Sequence, residues 1–362
     1  MRYLLMNKDI PLRCFSCRRD EFGETFCETA ELYAAPQPFG CADLTDWLRR
    51  RQAPKHRKHL EELLIRYGCE HLEGFLQVTH ALSLNDTFWV KEESSSLAWN
   101  EVSLYRNDFD ELVSLAAFDG QFSGTTLSST SPEFGTDGLF AKCWVREPAG
   151  IFLYKGGSAT FEIEPVSEFL AAQPAEALRL THVAYDLAFY HDKLISKCAL
   201  FTDEKHGLVK AYDVLPSGDR SLGSMLRYFT RIGSEDMFRR MCVLDALILN
   251  TDRHLGNFGV LVDNDSMDIL RMAPVFDNNR SLLFDMDSSQ LRLIDWCVGT
   301  CTPRIGTDFV LTARGMLTPA IRADLTALTD FTFADHPQIH IPADRLDALS
   351  AIVRHQARRI LA

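Results

Sequence analysis

The sequence predicts a two-lobed α+β protein, on three observations. Strand candidates crowd the chain up to residue 203, helical periodicity dominates beyond it, and a Gly/Ser/Thr-rich stretch lies ahead of the central strand pair. A run of strands followed by a run of helices gives segregated layers, whereas a doubly wound sheet needs the two to alternate. The expected divisions are a mixed α/β subdomain over 1–104, a β-rich N-lobe with the Gly/Ser-rich loop over 105–203, and a mainly helical C-lobe over 204–362.

Residues 3–6 read as a short strand leading into turn-rich sequence. Helical periodicity covers 44–51 and 60–67, and 80–84 and 88–90 read as strands about an Asn85-Asp86 turn. From Asp119 to Gly138, four glycines stand among serines and threonines, the composition of a mobile loop. Strands are expected over 139–145 and 151–155, joined by a Pro148-Ala149-Gly150 turn. A helix over 165–178 starts at acidic Glu162 and Glu164, and Pro174 is expected to kink or end it, at about 3 kcal/mol for an interior proline. Strands over 183–189 and 194–201, a polar hinge over 202–207, and helices over 221–231, 235–249 and 343–361 complete the reading.

Composition narrows the function. With 46% apolar and 24% charged residues, 362 residues can bury a core without disulfides or metals. A net charge of -12 argues against broad nucleic-acid binding, because phosphate neutralisation needs a basic surface. The one basic island, Arg49-Arg50-Arg51 with Lys55, Arg57 and Lys58, reads as a solvated helix face; a DNA-binding regulator would rest on it alone. No signal-peptide pattern and no membrane-length apolar run is visible, so a cytoplasmic location and reduced thiols are expected. Cys14 and Cys17, with Cys27 and Cys41, could hold zinc, but a second C-x2-C is lacking.

The stretch 247–262 carries the most chemistry. An apolar helix end runs into Asn250-Thr251-Asp252-Arg253-His254-Leu255-Gly256-Asn257, then into an apolar strand; further on, Asp277 closes the run Ala273-Pro274-Val275-Phe276. Phosphoryl transfer needs these types together: a carboxylate to accept a hydroxyl proton, and hard oxygen donors for Mg²⁺. Asp252 is the candidate base, and Asn257 and Asp277 are the candidate metal ligands. The D-x4-N spacing alone also suits helix-capping turns. His254 reads as a structural loop histidine, and Arg253 either as a partner of a phosphate or Asp277 or as an exposed side chain.

Other segments supply the rest. Lys155 ends an apolar strand before Gly156-Gly157, where it can reach α- and β-phosphates; Glu168 is its expected partner, with Glu164 a competitor. Small residues in 131–138, Ser131, Gly135 and Gly138 among them, let backbone N–H groups approach phosphate, although the stretch is neither G-x-x-x-x-G-K-[ST] nor G-x-G-x-x-G. Thr202 and Asp203 of the hinge are expected to border an adenine. The order of loop, strand lysine, helix glutamate, hinge, D-x4-N and downstream Asp is that of a kinase.

Segments 131–157, 250–259 and 274–283 resemble the HipA-like serine/threonine kinases, more the stand-alone bacterial branch than the founding toxin. Pro303-Arg304-Ile305-Gly306 and the closing Gln356-Ala357 are similar too, so the resemblance spans about 100–362. It implies a bilobal protein-kinase-like fold, ATP and Mg²⁺, a protein substrate bearing Ser or Thr, autophosphorylation in the 123–131 loop, and an antitoxin or regulatory partner. By the same resemblance Lys155 is the nucleotide lysine, Asp252 the base, and Asn257 and Asp277 the metal ligands. Asp277 is followed by Asn278-Asn279 rather than Phe-Gly. The rival readings are a small-molecule phosphotransferase, for which an acidic pocket would suit a cationic substrate, and a catalytically silent ATP- or partner-binding module.

Overall fold

The computed structural model describes residues 1–54, 60–66, 68–69, 71–120, 131–136, 140–158, 163–216 and 218–362. The chain is mixed α+β and forms two compact units. The first comprises Met1–Lys155, Leu200–Val209 and Leu261–Ile269; the second comprises Gly156–Ala199, Lys210–Val260 and Leu270–Ala362. Among the described residues no helix is long and apolar enough to cross a membrane. Lys55, Arg57 and Lys58, Gly124, Gly138, Glu162 and the expected modification sites in 123–130 lie outside the described residues.

In the first unit, strands β1 (Arg2–Asn7), β2 (Ile10–Arg19), β3 (Thr25–Leu32) and β4 (Phe88–Glu92) form an antiparallel sheet in the order β3-β2-β1-β4. The expected turn-rich sequence after β1 is in fact the long β2–β3 hairpin. Pro11 and the interleaved Arg13 hide the strand, yet Leu12 and Cys14 are buried at alternate positions, and Phe15, on the other face, is buried where it stacks on Tyr3 at 5.5 Å. Helices α1 (Leu44–Arg50), α2 (Leu60–Arg66) and α3 (Leu72–Thr79) lie between β3 and β4; α4 (Trp99–Val102) and α5 (Glu111–Asp119) follow β4, then the antiparallel hairpin β5 (Lys142–Glu147) and β6 (Gly150–Gly156).

The strand expected over 80–84 does not form. Helix α3 occupies the preceding residues and ends on His80 in a left-handed conformation, with Ala81 left-handed as well, which breaks any extended run. Met6, Leu82, Leu84, Trp89, Trp99, Val102 and Leu104 pack into one apolar cluster. The arginines of the basic island are occupied by carboxylates: Arg49 with Glu24, Arg50 with Asp46, and half-buried Arg51 with Asp86 in a two-pronged pair of 2.6 and 2.9 Å.

In the second unit, α6 (Glu164–Ala177) packs on the antiparallel hairpin β7 (Tyr185–Tyr190) and β8 (Lys193–Ala199). Pro174 does not end α6, which runs on to Ala177, where the Leu178 N–H still donates to the Pro174 carbonyl at 3.0 Å. The remaining helices are α7 (Ala211–Val214), α8 (Leu222–Arg231), α9 (Glu235–Ile248), α10 (Ser288–Leu291), α11 (Ile294–Thr300), α12 (Phe309–Met316), α13 (Pro319–Ala327) and α14 (Ala343–Leu361). Helix α9 is buried continuously from Arg240 to Ile248 and packs against α6, α8, α12 and α14, so it is the axis of this unit. Phe229 of α8 stacks on Phe238 of α9 at 4.8 Å, and both meet Phe258 beyond the α9 loop, at 6.0 and 6.3 Å.

The expected hinge over 202–207 is partly strand, since residues His206–Lys210 are extended. The Asp203 carboxylate accepts the Lys205 and His206 N–H groups at 2.7 and 2.6 Å, closing the turn before that strand. Phe238→Ala should lower stability by about 3–5 kcal/mol, because the ring is fully buried among aromatic neighbours. Urea unfolding followed by circular dichroism reads this as a lower midpoint.

Candidate active site

Helix α9 ends at Ile248 because Leu249 turns left-handed (φ 51°) and its N–H closes on the Asp245 carbonyl. The Asn250 N–H bonds the same carbonyl at 2.9 Å, and the Asn250 side chain accepts the Asp252 N–H at 3.0 Å. The polar loop therefore leaves α9 in a fixed direction. It is closed from the other side as well: the Asp252 carbonyl accepts both the His254 N–H (2.7 Å) and the Asn257 amide nitrogen (2.9 Å). The Asn257 amide group donates inward, which leaves its Oδ1 as an oxygen donor for a cation.

Arg253 governs the arrangement. It is 1% exposed, and its guanidinium meets the Asp245 carboxylate at 3.0–3.2 Å. It also donates to the Asn257 carbonyl at 2.8 Å, the Phe276 carbonyl at 2.6 Å and the Asn278 side chain. Arg253 thus pairs with neither a phosphate nor Asp277, and it is not exposed; both sequence expectations for it are corrected. Burial pushes the Asp245 carboxyl up, against the opposing pull of Arg253. Because one nitrogen bonds both the Asn257 carbonyl and the carbonyl before Asp277, this guanidinium ties together the backbone of the two stretches that bear the candidate metal ligands.

The Asp277 segment is held from its other flank. The Val183 N–H donates to the Val275 carbonyl at 2.9 Å, and the Val275 N–H donates to the Thr181 carbonyl at 3.0 Å. The Asp277 N–H then donates to the Tyr185 hydroxyl at 3.1 Å. Asp277 is left-handed at φ 59°, an uncommon conformation for a side-chain-bearing residue and one that tends to occur at functional sites. Burial, then the charges of Glu168, Cys198 and Asp277, raise the Tyr185 hydroxyl well above its usual value, so it stays protonated. Glu168 is buried on α6 and accepts a short hydrogen bond from Ser196 of β8.

Asp252 presents its carboxylate to two cations. Arg304 stands 3.1 Å from it and Arg280 4.0 Å, both on the solvent side, with side chains 54% and 36% exposed. The His254 ring nitrogen Nδ1 accepts the Gly256 N–H at 3.0 Å, and burial lowers its pKa. A Cβ at Gly256 would stand 2.8 Å from that ring, so a larger residue there would have to move the His254 side chain. Sequence reasoning missed Lys210. The Ala211 N–H bonds the Phe258 carbonyl (2.9 Å) and the Tyr212 N–H the Leu255 carbonyl (3.2 Å), which sets Lys210 against the loop. Desolvation pushes its ammonium down to about 8, while Asp277 and Asp213 pull the other way. Lysine beside the D-x4-N loop in space but 42 residues before Asp252 leaves no local pattern to find.

In the first unit, Lys155 is 5% exposed at the end of β6. Ser131 is 4% exposed and opens the short 3₁₀ turn Pro132–Gly135. The close approach that requires glycine at 135 is to the Leu82 carbonyl, 2.5 Å from where a Cβ would stand, so its smallness is explained by packing. The Thr202 hydroxyl donates to the Leu84 carbonyl, and Asp203 closes its own turn as described. Cys14 and Cys17, three apart on β2, point to opposite faces, and Cys14 instead meets Arg2 at 3.0 Å.

An amide oxygen at Asn257 and a carboxylate at Asp277 are donor types that a hard divalent ion takes, Arg253 holds the backbone at Asn257 and at Phe276, and Lys210 is close enough to Asp277 to share charge.

No protein-family model matches the chain, and no curated protein matches it. Solved structures are similar in fold, two of them kinase and toxin–antitoxin proteins. The proinflammatory kinase CtkA of Helicobacter pylori superposes with a TM-score of 0.46 at 17% identity, over 61% of this chain and 91% of that one. HipA of Shewanella oneidensis MR-1, solved with HipB and operator DNA as a toxin–antitoxin system, superposes with a TM-score of 0.49 at 10% identity, over 99% of this chain and 96% of that one. Neither likeness assigns a role to a residue here.

Arg253→Ala should cost about 3–5 kcal/mol, because it strands the buried Asp245 carboxylate. Urea unfolding measures the loss, and Arg253→Lys should recover only part of it, since one ammonium cannot reproduce the fork. Asp277→Gly should be at least as stable as the parent, because glycine adopts φ 59° freely, yet should lose Mg²⁺-dependent nucleotide binding. Thermal unfolding with and without Mg·ATP separates the two effects.

Proposed function

We propose that the protein is a kinase that uses ATP and Mg²⁺ to phosphorylate a serine or threonine hydroxyl of another protein. One observation carries the reading: a single buried guanidinium ties the loop bearing Asp252 and Asn257 to the segment bearing Asp277. Mg·ATP, when bound, supplies the γ-phosphoryl group and the divalent charge that offsets its oxygens. Asn257 Oδ1 and the Asp277 carboxylate hold the metal, and Lys155 is assigned the α- and β-phosphates from its place in the sequence pattern. Asp252 orients the acceptor hydroxyl and takes its proton on a carboxylate oxygen. Arg304 and Arg280 flank that carboxylate on its solvent side.

These two arginines also bear on the acceptor. The small-molecule alternative drew support from an acidic pocket for a cation, but the rim at Asp252 is basic, which favours an acceptor that is neutral or acidic around its hydroxyl. Self-phosphorylation is assigned to the serines and threonines of 123–130, since Ser131 is buried. An antitoxin or regulatory partner belongs to the same proposal.

Asp252→Ala should reduce phosphoryl transfer about 10²–10⁴-fold and leave nucleotide binding in place. Incubation with γ-labelled ATP and Mg²⁺, with and without cell extract, reads self-labelling and foreign targets together. Turnover at the parent rate in the variant would remove Asp252 as the base. Equal phosphate occupancy in the parent and Asp252→Asn proteins by mass spectrometry would exclude self-modification.

A further inference from the structure

The β2–β3 hairpin of the first unit sets Cys17 directly opposite Cys27. Their Sγ atoms are 3.0 Å apart, and both side chains are half-buried, within reach of a small solute. The rung is firmly registered. Arg18 and Glu28 pair at 3.4 Å on the adjoining positions, and the Cys27 N–H donates to Thr45 Oγ1 at 2.8 Å. Other thiols are placed differently: Cys14, Cys69, Cys143 and Cys242 are buried, and buried Cys297 donates to the Gln290 carbonyl.

We propose that Cys17 and Cys27 are a reversible dithiol–disulfide pair that hydroperoxides oxidise. This goes beyond the kinase reading and does not depend on it. The two sulfurs are chemically unequal. The hydrogen bond between the two sulfurs lowers the Cys17 thiol, while that same bond and burial raise Cys27, so a thiolate on one is held by the proton on the other, with Cys17 taken as the nucleophile and Cys27 as the resolving thiol. The Cys17 thiolate attacks a peroxide oxygen; the O–O bond breaks, and Cys17 becomes a sulfenic acid as hydroxide leaves. The Cys27 sulfur then attacks the Cys17 sulfur; the S–O bond breaks, and the departing hydroxide carries off the Cys27 proton as water. Two thiols are oxidised to one disulfide, and one peroxide is reduced to water. An external thiol reverses the bond by exchange.

The test treats the folded full-length chain with hydrogen peroxide, then alkylates it in denaturant and maps the peptides by mass. The expected result is loss of two alkylatable thiols from the ten, a peptide pair joined through Cys17 and Cys27, and recovery of both thiols with dithiothreitol. In Cys17→Ser, Cys27 should stay alkylatable. The proposal is overturned if both cysteines remain fully alkylated under peroxide that oxidises free glutathione, if Cys17 accumulates as sulfinic acid without a cross-link, or if either pairs with another cysteine. The mapping on the parent protein stands whether or not the variant folds.

Discussion

Arg253 is the constraint on which the second unit's chemistry depends. A fully buried guanidinium must fill its five N–H positions or be strongly destabilising, and here the partners are drawn from three stretches of chain: Asp245 on α9, Asn257 in the loop, and Phe276 with Asn278 on either side of Asp277. Satisfying one residue therefore fixes the relative positions of the others. The charge itself is cancelled by Asp245, so Arg253 shapes the site without adding a cation to it. Asn278 explains a feature of the sequence: the residue after Asp277 is an amide because its oxygen completes this hydrogen-bond set, a task that a phenylalanine could not perform.

The backbone at Asp277 belongs to the same economy of position. Its left-handed turn is held by the Tyr185 hydroxyl on one side and by the Arg253-bound Phe276 carbonyl on the other. Tyr185 lies on β7, and the Thr181–Val275 ladder just before it sets the distance. An irregular conformation at a charged residue persists only when its surroundings over-determine it, and here two independent hydrogen bonds do so.

The sequence shows the helical part of the fold well. Helices α8, α9 and α14 fall within a residue or two of their expected bounds, because a period near four with capping residues is a local signal. Strand signals were weaker where packing overrode pattern: β2 carries a proline and a register shift, and the 80–84 run is apolar but follows a helix end. Asp252, Asn257 and Asp277 were legible as residue types at a telling spacing. Arg253, Tyr185 and Lys210 were not, because their meaning lies in hydrogen bonds and charge proximity between residues remote in sequence.

Helix α14 braces this centre from behind. Gln356 donates to the Ala246 carbonyl near the end of α9, and Arg345 donates to the Leu283 and Met286 carbonyls beyond the Asp277 segment. Both walls of the candidate centre therefore lean on a helix that is translated after them. A nascent chain on the ribosome would carry every reactive side chain of this unit before it had the support to align them, so competence arrives late in synthesis rather than gradually.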